Sequence, residues 1–182
     1  IDSHDDCTIG LIRKAIEYAN TKIYELSKNN KQLQGMGSTV VAAGINKSAL
    51  YAFNVGDSRL YIVRDKLIQI TKDHSLVEDE VAKGHITRGS EEYKLNKKYI
   101  TRAVGVEREV DVDIFEVELL EGDKILLCSD GLSNMIDDKE IYDIISKSET
   151  LDLAVDNLIE TANEKGGTDN ISAILINYER EV

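Results

Sequence analysis

LYAFNVGDSRLYIVRDKLIQIT, residues 50–71, lays three apolar runs end to end, with only Gly56-Asp57-Ser58 and Arg64-Asp65-Lys66 between them. Leu50–Val55, Leu60–Val63 and Leu67–Thr71 are rich in aromatic and branched side chains, which suit a pleated, half-buried surface. Neither gap can hold the crossover helix that a parallel pair requires. The stretch therefore predicts an antiparallel meander, with Gly56-Asp57-Ser58-Arg59 as a hairpin turn and Arg64-Asp65-Lys66 as a tight one.

Outward from this stretch, further strands are expected. Ser38–Ile45 is small and β-branched. Asp113–Leu119 alternates Ile114, Glu116 and Glu118 against Phe115, Val117 and Leu119, so one of its faces is wet. Lys124–Cys128 is almost wholly apolar and belongs in the middle of a sheet, and Glu121-Gly122-Asp123 joins these two runs. Ile171–Ile176 is the last strand.

Helices fall outside the strand runs. Ile9, Ile12, Ile16, Ala19, Ile23 and Leu26 form one stripe at helical spacing. Asp5 or Asp6 is placed to cap its start, and Asn29, Asn30 and Gly35 mark its end. Asp137 with Glu140 predicts a cap for a helix that turns Ile141, Ile144 and Ile145 inward. Thr150 predicts another, carrying Leu151, Val155, Leu158, Ile159 and Ala162 and stopped at Gly166. Residues 72–106 are polar, with short helical pieces capped by Ser75 and Ser90. They read as a flap-like surface excursion whose small core makes opening cheap. Helices and antiparallel strands are segregated, so the class is α+β.

The 182 residues, 42% hydrophobic, suit one well-cored domain, here residues 1–182. A net charge of −12 argues against a nucleic-acid or anionic-membrane surface, both of which need clustered Lys and Arg. No apolar run approaches the ~20 residues of a membrane span, and no signal-peptide pattern opens the chain. The two cysteines, Cys7 and Cys128, imply no disulfide framework and fit a reducing cytosol, so the expected location is cytoplasmic.

The chemistry gathers on three aspartates at the ends of apolar runs, each with a glycine close by: Asp57 in NVGDSR, Asp130 in LLCSDGL and Asp169 in GGTDNISAILI. A strand-end carboxylate can reach a hard cation that a mid-strand one cannot, and oxygen-ligated cations often serve phosphate chemistry. Taken singly, each has a plainer reading in turn chemistry. Arg59 could pair with Asp57 or hold a phosphate. His4, His74 and His85 lack metal-ligand spacing, so zinc is not expected, and His74 reads as a loop hydrogen-bonding residue. Gly35-Met36-Gly37 lets the backbone pass close to another element.

Six segments carry a resemblance, in this order: GMGSTVV (35–41), NVGDSRLYIVR (54–64), ITKDHSLV (70–77), ITRAVG (100–105), GDKILLCSDGL (122–132) and GGTDNISAILI (166–176). Together they closely resemble the metal-dependent type 2C (PPM) family of serine/threonine protein phosphatases in its bacterial form, over about Ile9 to Asn177. The resemblance implies a four-layer α-β-β-α sandwich of antiparallel sheets flanked by helices, with Mn²⁺ or Mg²⁺ between the sheets, two to three ions in an intact domain. It implies that Asp130 and Asp169 ligate one ion and that Asp57 supports a weaker third site. In that family a metal-activated water attacks phosphorus directly. The substrates implied are phosphoserine and phosphothreonine proteins, with a serine/threonine kinase as the opposing partner.

The family pattern opens with two upstream strands that carry a bridging aspartate, a general-acid histidine and a phosphate-binding arginine. No match to them stands in these residues, so the catalytic groups are expected upstream of Ile1, and the domain is expected to be N-terminally truncated. Two expectations follow: weak activity or none for this chain alone, and self-association through uncovered sheet edges. The competing readings are a non-catalytic regulatory or scaffold module of the same fold and an unrelated acidic binding domain.

Overall fold

The computed structural model describes the backbone of residues 3–180, and the side chains of 9–93 and 95–180. In chain order the elements are α1 (Ser3–Asn29), a 3₁₀ turn (Lys31–Leu33), β1 (Val40–Asn46), β2 (Ala49–Val55), β3 (Arg59–Val63), β4 (Leu67–Gln69), α2 (Leu76–Ala82) and α3 (Glu91–Asn96). After these come β5 (Asp113–Glu118), β6 (Lys124–Cys128), α4 (Asp130–Ser133), α5 (Asp138–Lys147), α6 (Leu151–Glu164) and β7 (Ala173–Asn177). The chain divides into two compact units. Unit 1 holds residues 1–40, 53–57 and 72–114, and unit 2 holds 41–52, 58–71 and 115–182.

The strands form two sheets, ordered β1-β2-β5 and β4-β3-β6-β7. In the second, β3 pairs antiparallel with β4 and β6, and β6 with β7, in a register that sets Leu60 opposite Leu127 and Leu126 opposite Leu175. Alternate side chains of β3 and β6 serve two cores, which is why both strands are apolar throughout. Leu60, Ile62, Ile125 and Leu127 meet Leu50, Ala52, Phe115 and Val117 of the other sheet. Tyr61, Val63, Leu126 and Cys128 meet Leu132, Ile141, Ile145 and Leu158 of α4, α5 and α6. Sheet, sheet and helix layers are thus all present in unit 2, and the α+β class holds. The wet face predicted for β5 is real, with Glu116 and Glu118 exposed.

The predicted caps form: the side chains of Ser75, Ser90, Asp137 and Thr150 each accept a backbone N–H from the first turn of their helix. Three local expectations are corrected. β2 and β3 do not form a hairpin. They lie in different sheets, so Gly56-Asp57-Ser58 is a crossing between sheets, while Arg64-Asp65-Lys66 does join an antiparallel pair, β3 and β4. Helix α1 already includes Asp5 and Asp6, which therefore sit inside its first turn and not before it; their side chains lie outside the described residues, as does that of His4. Leu26 faces solvent, while Asn20 and Ser27 are buried in its stead.

In unit 1, Asn20 earns its burial by hydrogen bonding. Its Nδ2 donates to the carbonyls of Glu107 and Arg108, each at 3.1 Å, and its Oδ1 accepts the Gly105 N–H at 2.7 Å. Gly37 permits the close passage expected of it, since a Cβ there would lie 2.7 Å from Val106 Cγ2. Among the described residues no helix is long and apolar enough to cross a membrane.

Candidate metal centre

Asp130 and Asp169 both belong to unit 2, Asp130 two residues after β6 and Asp169 in the loop that leads into β7. Ser129 ties those stretches together. Its N–H donates to the Ser172 carbonyl at 3.0 Å, and its hydroxyl donates to the Asn170 carbonyl at 3.2 Å and accepts the Ser172 N–H at 3.0 Å. Ser129 stands at the N-cap position of α4, but its hydroxyl makes no capping bond, because it is spent on the neighbouring loop. Gly131 allows the approach: a Cβ at this position would lie 2.3 Å from the Asn170 carbonyl oxygen.

Asp130 was expected at a loop turn and instead begins the four-residue helix α4. It is half-buried, and its Oδ2 accepts a hydrogen bond from Asn134 Nδ2 at 3.0 Å, which fixes the rotation of the carboxylate. Asp169 is exposed, and its Oδ1 accepts the N–H of Asn170 at 2.7 Å. Both groups are hard anionic oxygen donors from adjoining loops, the donor type that Mg²⁺ and Mn²⁺ prefer. Among the described residues no group of three His, Cys, Asp or Glu side chains is placed to hold an ion unaided.

Asp57 lies in unit 1, half-buried in the crossing that follows β2. Gly56 before it has φ +109°, and a Cβ there would come within 2.3 Å of Thr39 Cγ2, so no other residue fits. Arg59, in unit 2, donates from Nη1 to the Tyr61 hydroxyl at 2.9 Å. Burial pushes the Tyr61 hydroxyl pKa well up, against the opposing pull of Arg59, so the phenol stays neutral at physiological pH.

Sequence reading picked out the aspartates but missed Ser129 and Asn134, which set their geometry. A serine before Asp-Gly signals a helix cap, and nothing local says that it binds a loop some forty residues away.

The family model described as Protein phosphatase 2C matches residues 3–171. The chain is 40% identical over 166 residues to the serine/threonine phosphatase stp of Listeria welshimeri, a match covering 91% of this chain and 66% of that relative. The chain thus spans just under two thirds of that relative's length. A solved bacterial serine phosphatase is similar with a TM-score of 0.91 at 33% identity, over 100% of this chain and 73% of the other. The catalytic domain of the serine threonine protein phosphatase PstP, solved in complex with two manganese ions, is similar with a TM-score of 0.77 at 36% identity, over 86% and 65%.

Proposed function

Because this chain belongs to the protein phosphatase 2C family, we propose that it is part of a metal-dependent enzyme that hydrolyses phosphoserine and phosphothreonine in proteins. The observation that carries the reading is the junction of the Asp130 and Asp169 loops through Ser129 and Gly131. That junction joins the backbone beside one aspartate to the backbone beside the other, which supports reading the two as ligands of one ion. A divalent ion, when bound, supplies charge neutralisation at phosphoryl oxygens and a water acidic enough to react near neutral pH. The protein's own part is to hold the donors. Asn134 fixes Asp130, the Asn170 amide fixes Asp169, and Asp57 offers a further donor at a weaker site.

Residues 1–182 serve one catalytic domain on this reading, with 72–106 as a flap-like excursion within it. The partners are phosphoproteins and an opposing serine/threonine kinase, in a cytosolic setting consistent with the buried thiol of Cys128. These residues alone would turn over weakly, since two aspartates cannot hold a two-ion centre.

The test is Mn²⁺-dependent hydrolysis of p-nitrophenyl phosphate and of phosphoserine, phosphothreonine and phosphotyrosine peptides. This chain is assayed beside a protein spanning the full length of its relatives, with Asp130→Asn in each. The expected result is activity in the longer protein on the serine and threonine peptides, lost in Asp130→Asn. A folded longer protein without activity would replace this reading with a non-catalytic module of the same fold.

A further inference from the structure

The segments 70–77 and 100–105 take no part in the loops of Asp130 and Asp169, yet in unit 1 each sends one side chain to the same place. His74 is 7% exposed and grips Gly56 from two sides. Its backbone N–H donates to the Gly56 carbonyl at 2.9 Å, and its Nδ1 accepts the Gly56 N–H at 3.0 Å. A ring nitrogen that accepts from an amide carries no proton, so the proton of the neutral ring sits on Nε2. Nε2 faces Asp113 Oδ2 at 3.0 Å. Arg102 Nη1 donates to Asp113 Oδ1 at 2.6 Å and to the Asp111 carbonyl at 3.1 Å. Its 3.2 Å approach to His74 Nε2 sets two donors together, and the shared Asp113 carboxylate accommodates both.

Asn54 completes the hold on Gly56. Its Nδ2 donates to the Gly56 carbonyl at 3.2 Å and to the Lys72 carbonyl at 2.9 Å, while its fully buried Oδ1 has no partner. Turning the amide over would set that oxygen against two carbonyls, so the orientation is forced. Packing alone gives no reason to keep an unsatisfied buried amide here. A need to fix the Gly56 backbone does. Gly56 therefore has both of its polar groups bonded in a conformation open only to glycine, and the next residue is Asp57.

We propose that His74 is a positioning residue for Asp57: by locking the Gly56 backbone it sets the direction in which the Asp57 carboxylate leaves the chain, and Asp113 with Arg102 holds the ring in the tautomer that does so. This rests on the reading of Asp57 as a metal ligand, and it gives both segments a task.

The experiment uses the intact protein and Mn²⁺ alone, with free Mn²⁺ counted by electron paramagnetic resonance, in His74→Asn, His74→Gln, His74→Ala and Asp57→Asn. Asparagine puts an acceptor near the position of Nδ1 and glutamine puts one near Nε2. The expected result is that Asp57→Asn abolishes the weaker class of Mn²⁺ sites. His74→Gln and His74→Ala should weaken that class about 10-fold, the scale on which supporting residues act on metal sites, and His74→Asn should restore most of it. In parallel, ¹⁵N spectra of the His74 ring are expected to show the Nε2–H tautomer. Equal Mn²⁺ binding in the asparagine and glutamine variants, or an Nδ1–H ring, overturns the positioning role and leaves the Asp57 reading standing if Asp57→Asn still loses the site. Unchanged binding in Asp57→Asn overturns both. Should His74→Ala fail to fold, the asparagine and glutamine pair decides alone.

Discussion

Arg64 holds Asp123 through two parallel hydrogen bonds, Nε to Oδ1 at 2.8 Å and Nη2 to Oδ2 at 2.7 Å, and the Asp123 side chain is only 1% exposed. The same carboxylate accepts the Leu120 N–H at 2.8 Å, and the Asp123 carbonyl accepts the Tyr178 N–H, also at 2.8 Å. One residue of the β5–β6 turn thus fastens the end of β3, the turn itself and the chain after β7. Arg64→Ala leaves that buried carboxylate without its cation, which costs about 3 kcal/mol or more. Arg64→Lys keeps the charge but loses the planar fork and should fall between the two. Urea unfolding checks both, and a loss under about 0.5 kcal/mol for Arg64→Ala, the range of ordinary surface substitutions, would show that the pair is not a fastener.

The same pair sets an acid limb on stability. The Arg64 hydrogen bond, with the Leu120 amide and the Arg64 charge, outweighs burial and holds the Asp123 carboxyl below the usual carboxylate range. A depressed folded pKa means that the unfolded chain binds the proton more readily. The contribution is therefore fully present above the unfolded value of about 3.9 and is lost as pH falls through the folded one. Wild type and Asp123→Asn should differ by a constant amount from pH 7 down to about 5, and their stabilities should converge at lower pH. Thermal melts from pH 7 to 2 read this directly, and a gap that widens with acid would reverse the assignment.

Gly131 and Gly122 separate contact from conformation. A Cβ at Gly131 would meet the Asn170 carbonyl oxygen at 2.3 Å, whereas at Gly122, φ +81°, nothing lies within 4 Å. Gly131→Ala must push the Asp169 loop off the Asp130 loop, at about 1–3 kcal/mol, and Mn²⁺ affinity should fall about 10-fold with it. Gly122→Ala should cost about 1 kcal/mol through its left-handed backbone and leave Mn²⁺ affinity unchanged. Calorimetric Mn²⁺ titration of the two variants in the intact protein makes the comparison, and equal affinities would mean that the junction does not shape the site.

How far the sequence reaches is clearest at particular residues. Lys124–Cys128 is legible as a central strand because both of its faces are buried, so no polar residue interrupts it, and Leu60–Val63 is legible as a strand for the same reason. The meander was misread because Gly56-Asp57-Ser58 looks the same whether the chain turns back or crosses to another sheet. The choice lies in the pairing of β3 with β6, some sixty residues on. Leu26 and Asn20 fail for a related reason. Periodicity assigns apolar residues inward, but Asn20 goes inward because a distant loop, residues 105–108, supplies its partners. The aspartates stand out because strand ends and glycines are local signals. Ser129 does not, because its partners lie on a loop some forty residues on, and Asn134 does not, because its bond to Asp130 depends on the one turn of α4 that sets them together; His74 reads as a hydrogen-bonding residue, but its partner Gly56 lies eighteen residues back.

The flap offers a last test, because its order comes from polar groups. Glu78 in α2 is 4% exposed. It accepts hydrogen bonds from Arg88 Nε at 3.1 Å and the Tyr93 hydroxyl at 2.6 Å, and it pairs with Arg88 Nη2 as well, so one buried carboxylate binds α2, the loop after it and α3. Within residues 72–106, whose composition reads as cheap to open, this carboxylate is one buried cross-link among the described residues. Arg88→Ala strands the carboxylate and should cost about 3 kcal/mol of local stability, while Tyr93→Phe should cost about 1 kcal/mol. Because few apolar contacts back the flap up, the loss should be local: amides of residues 85–96 should exchange at least 10-fold faster in Arg88→Ala, with those of β3 and β6 unchanged. Exchange that quickens equally in both regions would mean that Glu78 holds the whole fold together and that the flap does not open separately.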